Sequence, residues 1–233
     1  MNIGVVTFPG SNCDVDTVEA LHDVGVSAIS VWYRDTDVAG LDGVILPGGF
    51  SYGDYLRSGA LAAKAPIMNA VRTAALEHQL PVLGICNGFQ LLTEAGMLPG
   101  ALRPNRHGEF RCSWETVRVS APSPSFPGLR PGQTLRLPIA HAEGAYYLPP
   151  GALEDLFSQG QVWLQYVDGR GELSSLVNPN GSVANIAGVI QGSVAGLMPH
   201  PERAMARETG SSDGRLLLEA WVEAVAGRMA DAR

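Results

Sequence analysis

Apolar and polar positions divide the chain into two unlike parts. From residue 2 to about 100, apolar runs of strand length alternate with longer segments of helical spacing. Residues 2–8 read as a strand stopped by Pro9-Gly10, and a helix follows through Val24, with Ser11, Asn12 or Asp14 available to cap it. Residues 26–33 read as a second strand and Leu41–Leu46 as a third, stopped by Pro47-Gly48-Gly49. Ala-rich spacing predicts a helix over 58–79, then a strand over 81–85 and a helix ending near Gly96. Strands alternating with helices build a parallel sheet covered on both faces. Such sheets bind ligands outside the carboxyl ends of their strands.

From about 101 to 190 the helical periodicity fades. Thr116–Val119, Thr134–Ile139, Gln161–Val167 and Val183–Ile190 read as short β runs, and prolines crowd residues 122–138. Antiparallel strands and long loops, inserted into or flanking the sheet, are expected there. Residues 213–227 return to a helix that Asp213 can cap, with Leu216, Leu217, Ala220, Trp221 and Ala224 on one apolar face. The expected fold class is α/β: an open, doubly wound, mainly parallel sheet with helices on both faces and an additional antiparallel β region. No repeat or linker interrupts residues 1–233, so a single domain is expected.

Composition narrows the functional classes. Hydrophobic residues make up 45% of the chain and charged residues 17%, which fits a large buried core. The net charge of −7, with no Lys/Arg cluster, argues against a nucleic-acid partner. No apolar stretch approaches the ~20 residues of a membrane span, so no membrane partner is expected. The 3 cysteines, Cys13, Cys86 and Cys112, are an odd count at no metal-ligand spacing. Neither a disulfide framework nor a metal site is expected, and the setting implied is a reducing cytoplasm.

The candidate chemistry centres on Gly84-Ile-Cys86-Asn-Gly88, set between a strand-like and a helix-like run. A Cys between two glycines at a strand-to-helix turn has the pattern of a nucleophile elbow. A helix N-terminus there favours the thiolate, the nucleophilic form. A buried structural Cys between two packing glycines is the competing reading. A base is available in Met198-Pro-His200-Pro-Glu202-Arg203. Prolines on both sides of His200 keep the chain extended, so His200 and Glu202 should project together as a base and its orienting carboxylate. Pro47-Gly48-Gly49-Phe50 is either an ordinary turn or an oxyanion loop. In the second case the N–H groups of Gly49 and Asn87 would be the donors. Gln90, one helical turn after Cys86, can face the same cleft, or it is a plain exposed helical Gln. Cys13 lacks flanking elbow glycines and reads as structural.

Pro-Gly-Gly, then Gly-x-Cys-x-Gly-x-Gln, then His-Pro-Glu, in that order, resembles the class I (triad-type) glutamine amidotransferases. The resemblance covers residues from 1 to about 225 and implies a flavodoxin-like glutaminase fold. It implies Cys86 as nucleophile toward the side-chain amide of L-glutamine, His200 as the acid that protonates departing ammonia, and Glu202 as its orienter. Gly49 and Asn87 would hold the oxyanion, and Gln90 and Phe50 would seat substrate. The segments Pro9–Asp14, Gly48–Arg57, Cys86–Gln90, His141–Gly144 and Met198–Arg203 narrow the resemblance to the glutaminase subunits of phosphoribosylformylglycinamidine synthase. That implies ammonia delivered to a separate ATP-dependent synthetase subunit, with a small accessory subunit, in purine biosynthesis. It implies no cofactor in this chain; ATP and Mg would serve the partner. Ser51, Asp54, Arg57, His141 and Glu143 become candidates for the cleft rim or the partner interface. Ser113 stands where the resemblance implies Arg. The alternatives are a glutaminase serving another synthetase, a Cys-elbow hydrolase of esters or peptides, and a regulatory subunit with a decayed site.

Overall fold

A computed structural model describes residues 1–231. In chain order the elements are β1 (Asn2–Thr7), α1 (Asp14–Asp23), β2 (Ser27–Trp32), β3 (Gly43–Leu46), α2 (Pro66–Glu77), β4 (Val82–Ile85), α3 (Asn87–Glu94), β5 (Ala101–Arg103), β6 (Arg111–Val119), β7 (Thr134–His141), β8 (Ala145–Tyr147), α4 (Ala152–Ser158), β9 (Val162–Val167), β10 (Ile186–Gln191), β11 (Val194–Leu197) and α5 (Asp213–Asp231). One 9-stranded sheet has the order β2-β1-β3-β4-β11-β10-β9-β6-β7, and β5 pairs with β8 apart from it. From β2 to β11 the neighbours run parallel. From β11 to β7 they alternate in direction, so the antiparallel region continues the same sheet. Every residue of β3, β4 and β11 is buried, which requires cover on both faces. The edge strand β2 is largely exposed or half-buried.

Local chemistry explains where the elements depart from expectation. The helix expected over 58–79 begins only at Pro66, after a 3₁₀ turn at Ala62–Lys64. Pro66 suits a first turn, but its ring holds Ala65 extended (φ −62°, ψ 147°), so no helix runs through from residue 58. None of Ser11, Asn12 or Asp14 caps α1; Cys13 holds that position, and its side chain makes no capping bond to the helix. Ser11 Oγ instead accepts from the Phe8 N–H (3.1 Å), and Asp14 accepts from the Thr7 hydroxyl (3.0 Å). The run expected from Val183 becomes a strand only at Ile186, because Ala184 and Asn185 take positive φ (50° and 58°) in a turn. The carboxylate of Asp213 accepts from the Arg136 N–H (2.7 Å) rather than capping α5. That helix continues to Asp231 and buries Leu217, Leu218, Ala220, Trp221 and Val225, while Leu216 is 45% exposed. The sequence reading missed α4, β5 and β8, which are too short for periodicity to show. It also missed β11, which has the larger consequence.

The topology places the site. β3, β4 and β11 lie side by side and parallel, with Leu46 opposite Gly84 and Leu197 opposite Ile85. Neighbouring strands are about 4.8 Å apart, so the segments leaving their carboxyl ends (Pro47–Gly49, Cys86 and Met198–Glu202) emerge together. The N–H of Cys86 donates to Leu197 O (2.8 Å) and extends the ladder by one residue.

Candidate active site

Cys86 sits at the turn from β4 into α3 with φ 50° and ψ −103°, a conformation that L-residues rarely adopt. The surroundings enforce it. A Cβ on Gly88 would lie 1.9 Å from Leu46 O, and one on Gly84 would lie 2.7 Å from Gly88 O, so strand and helix approach as only glycines allow. Backbone strain held in this way marks functional positions. The thiol is buried, 3.7 Å from Ala140 O, at the mouth of the first helical turn. That turn's N–H groups have no intrahelical acceptor.

His200 and Glu202 come from the segment that follows β11. Beyond His200 the chain is not extended as expected: Pro201–Arg203 form a 3₁₀ turn, since proline needs no N–H at a first helical position. The turn still brings Glu202 Oε1 to 2.6 Å from His200 Nδ1, with both residues buried. His200 Nε2 is buried and has no hydrogen-bond partner among the described residues. The N–H of His200 donates to Pro138 O (2.8 Å), and α5 packs on the turn through the Gly214 N–H to Ala204 O (2.9 Å). Burial works against a charge on His200, but the Glu202 carboxylate, then Cys86 and Cys13, outweigh it and raise its pKa well above the ordinary value.

Sequence reading set Cys13 apart as structural; the structure puts it against His200. A Cβ on Gly48 would lie 2.6 Å from His200 Cε1 and 3.0 Å from Cys13 Sγ. Arg203 donates to the same sulfur (3.1 Å) and pairs with Asp16 (3.3 Å). The carboxyl end of β1 was the signal for Cys13, because that end opens toward the same cleft.

The loop after β3 is pinned to the β1–α1 loop. Phe50 N–H donates to Gly10 O (3.0 Å) and Ser51 N–H to Asn87 Oδ1 (3.2 Å). The N–H of Gly49 has no acceptor among the described residues. Gly49 has φ 140°, and a Cβ there would meet Asn12 N at 2.8 Å. Gln90 is buried rather than exposed: its Nε2 donates to Glu143 O (2.6 Å) and its Oε1 accepts from Asn87 Nδ2 (2.9 Å). Asn87 Nδ2 also reaches Asp54 (3.5 Å), whose pKa is raised first by desolvation and further by Glu143. Ser51 is buried, and Ser58 N–H donates to Glu143 (3.4 Å). Ser51, Asp54, Asn87, Gln90 and Glu143 thus form one cluster beside Cys86. Two candidates face away from it: the exposed ring of Phe50 lies against Phe110 (6.4 Å), and exposed Arg57 pairs with Glu94.

His141 is buried, and its pKa is lowered to about 3, first by desolvation and then by His200. It stays neutral across the working range and adds no second base. Ser113 lies two residues after Arg111 on β6, accepts from its Nε (3.1 Å) and donates to Glu115 (2.5 Å). Sequence reading did not single out Asn105, Asn180 or Tyr166. The two asparagines are buried against His141, and the Tyr166 hydroxyl is buried without a partner among the described residues.

The chain resembles known proteins along nearly its whole length. The CobB/CobQ-like glutamine amidotransferase domain matches residues 1–221. The phosphoribosylformylglycinamidine synthase subunit PurQ of Methanosarcina acetivorans is 49% identical over 227 residues, 96% of this chain and 97% of the relative. That of Thermomicrobium roseum is 54% identical over 222 residues, 94% of each chain. A chain in the structure of PurLQS from Thermotoga maritima superposes with a TM-score of 0.84 at 40% identity, covering 95% of this chain and 97% of that one. A glutamine amidotransferase from Thermotoga maritima, 16% identical with a TM-score of 0.61, shares the fold over 99% of this chain and 98% of that one. With 221 residues matched and a superposable fold, the chain belongs to the CobB/CobQ-like glutamine amidotransferase family.

Proposed function

We propose that this chain is the glutaminase subunit of a phosphoribosylformylglycinamidine synthase. One observation carries the proposal. Three adjacent parallel strands deliver a strained Cys, a glycine loop whose Gly49 N–H has no acceptor among the described residues, and a buried His–Glu pair 2.6 Å apart to one end of the sheet. The Cys86 thiolate attacks the side-chain carbonyl carbon of L-glutamine. The N–H groups of Gly49 and Asn87 hold the oxyanion as charge develops there. His200, held cationic by Glu202, protonates the departing amine, and ammonia leaves a γ-glutamyl thioester on Cys86. Neutral His200 then activates water, which releases glutamate and restores the thiol. Gln90 and Asn87, locked to each other and to Glu143 O, form the wall against which the amide is seated.

Ammonia passes to a separate ATP-dependent synthetase subunit, assisted by a small accessory subunit. There it converts formylglycinamide ribonucleotide to formylglycinamidine ribonucleotide in purine biosynthesis. The subunit names of the relatives at 49–54% identity support this partner. ATP and Mg serve the partner. The reading assigns no metal to this chain: Cys13, His200 and Glu202 present ligand atoms within 4.8 Å of one another, but Arg203 at Cys13 Sγ opposes a cation there. No helix among the described residues is long and apolar enough to cross a membrane, and the reading places the protein in the cytoplasm. Exposed Phe50, Tyr55 and Leu56 directly follow the oxyanion loop and offer the partner an apolar contact. The test is glutamate release from glutamine by the chain alone and with the synthetase subunits and formylglycinamide ribonucleotide. Activation of about 10²–10³ is expected if the partner completes the oxyanion hole. No glutamate under either condition contradicts the proposal.

A further inference from the structure

The Ala140–Gly144 segment is a wall of the cleft: Ala140 O faces Cys86 Sγ and Glu143 O accepts from Gln90. Behind it, the buried side chain of Asn105 bonds the segment at both His141 and Gly144. Asn105 Nδ2 donates to His141 O and to Glu109 O, both at 2.9 Å. Its Oδ1 accepts from the Gly144 N–H (3.0 Å) and lies 3.0 Å from His141 Nδ1, and its own N–H donates to Ala142 O (2.8 Å). All four bonding positions of the carboxamide are used. Because Oδ1 is an acceptor, His141 Nδ1 must carry the hydrogen. The ring's Nε2 is then an acceptor, and it faces Asn180 Nδ2 (3.5 Å), a donor that also reaches Gly144 O (2.8 Å). The network is self-consistent in one tautomer only. Burial, His200, His107 and Arg111 all oppose a charge on this ring.

We infer that Asn105 is a positioning residue of the glutaminase reaction: it fixes the Nδ1–H tautomer of His141 and so holds the 140–144 wall against Cys86 and Gln90. The inference deepens the proposed function and rests on it. Asn105→Asp tests the arrangement with little change in shape. A carboxylate in this position cannot donate to the His141 and Glu109 carbonyls, and it favours an imidazolium at His141.

Histidine side-chain ¹⁵N NMR on the full-length wild-type chain should show His141 protonated at Nδ1 only and not titrating down to about pH 4, since its pKa is about 3. In Asn105→Asp that ring should titrate at clearly higher pH. In the assembled complex, glutamine-dependent kcat/KM should fall by about tenfold or more, as expected for a displaced catalytic wall. The same profile should gain an ionisation absent from the wild type, while ammonia-dependent synthesis stays unchanged. Iodoacetamide alkylation of Cys86, which needs no glutamine, should change by a similar factor, on the order of tenfold. Wild-type His141 protonated at Nε2 overturns the inference even if the variant does not fold. So does a folded Asp variant in which His141 has become cationic while both the glutamine rate and the alkylation rate stay within about twofold of the wild type. If the wild-type complex releases no glutamate, the glutaminase reading fails by itself. The tautomer and the alkylation rate then still decide the role of Asn105.

Discussion

Cys86→Ala is expected to lower glutamine-dependent synthesis by the assembled complex by at least about 10⁴, the scale of loss when a covalent nucleophile is removed. Ammonia-dependent synthesis should persist, because the synthetase chemistry lies in the partner. The strained backbone and the glycine contacts that enforce it do not involve the sulfur, so the variant should keep its fold and still assemble. Steady-state product formation with glutamine and with ammonium salt as alternative nitrogen donors, checked by circular dichroism and size exclusion, gives the result. Loss of both activities in a folded complex would mean that Cys86 serves the assembly rather than the glutaminase step.

His200 and Glu202 should fail as a unit. His200→Ala removes the proton carrier, and Glu202→Gln leaves an imidazole that is poorly oriented. The expected losses in kcat are therefore about 10⁴ or more and about 10²–10⁴ respectively, with the double variant little worse than His200→Ala. Losses that multiply would show two independent roles. The pH profile gives a second reading. In the native protein the carboxylate raises the pKa of His200, so its cationic form persists to higher pH. In Glu202→Gln that contribution disappears and the alkaline limb of kcat/KM should move to lower pH. The same linkage governs stability. A raised histidine value contributes fully below the unfolded value of about 6.5. The contribution is lost as pH rises through the folded value. The stability gap between wild type and Glu202→Gln should thus be widest below about pH 6.5 and narrow as pH increases. Thermal unfolding across that range tests the sign.

Much of the parallel half of the fold was legible because its strands are continuous apolar runs closed by Gly and Pro. Pro9-Gly10, Pro47-Gly48-Gly49 and the elbow glycines all mark real strand ends. The missed features are those that tertiary contacts decide. β11 is four residues long, and its character comes from pairing between β4 and β10 rather than from its own pattern. Gln90 is buried because Glu143 O arrives from fifty-three residues away, which no helical spacing reveals. Cys13 looked inert from its neighbours in sequence, and only the sheet order brings it to His200 and Arg203. Asn105 has one partner nearby in the chain, Glu109 O; its other partners are His141 and the turn that follows β7, which its own neighbours in sequence do not reveal. The strained turn at Cys86 was legible because the glycines that permit it are its neighbours in the chain, and the His200–Glu202 contact because the two residues lie two apart; the contacts of Cys13, Gln90 and Asn105 that span the fold were not.

Cys13 gives the central claim its sharpest test, because two buried thiols share one histidine. Mass spectrometry of the protein treated with a glutamine-like diazoketone, followed by peptide mapping, shows which sulfur attacks. Cys86 as nucleophile predicts one label per chain on the peptide that carries Cys86, with protection by glutamine. A label on Cys13 or Cys112, with Cys86 unmodified, would contradict it.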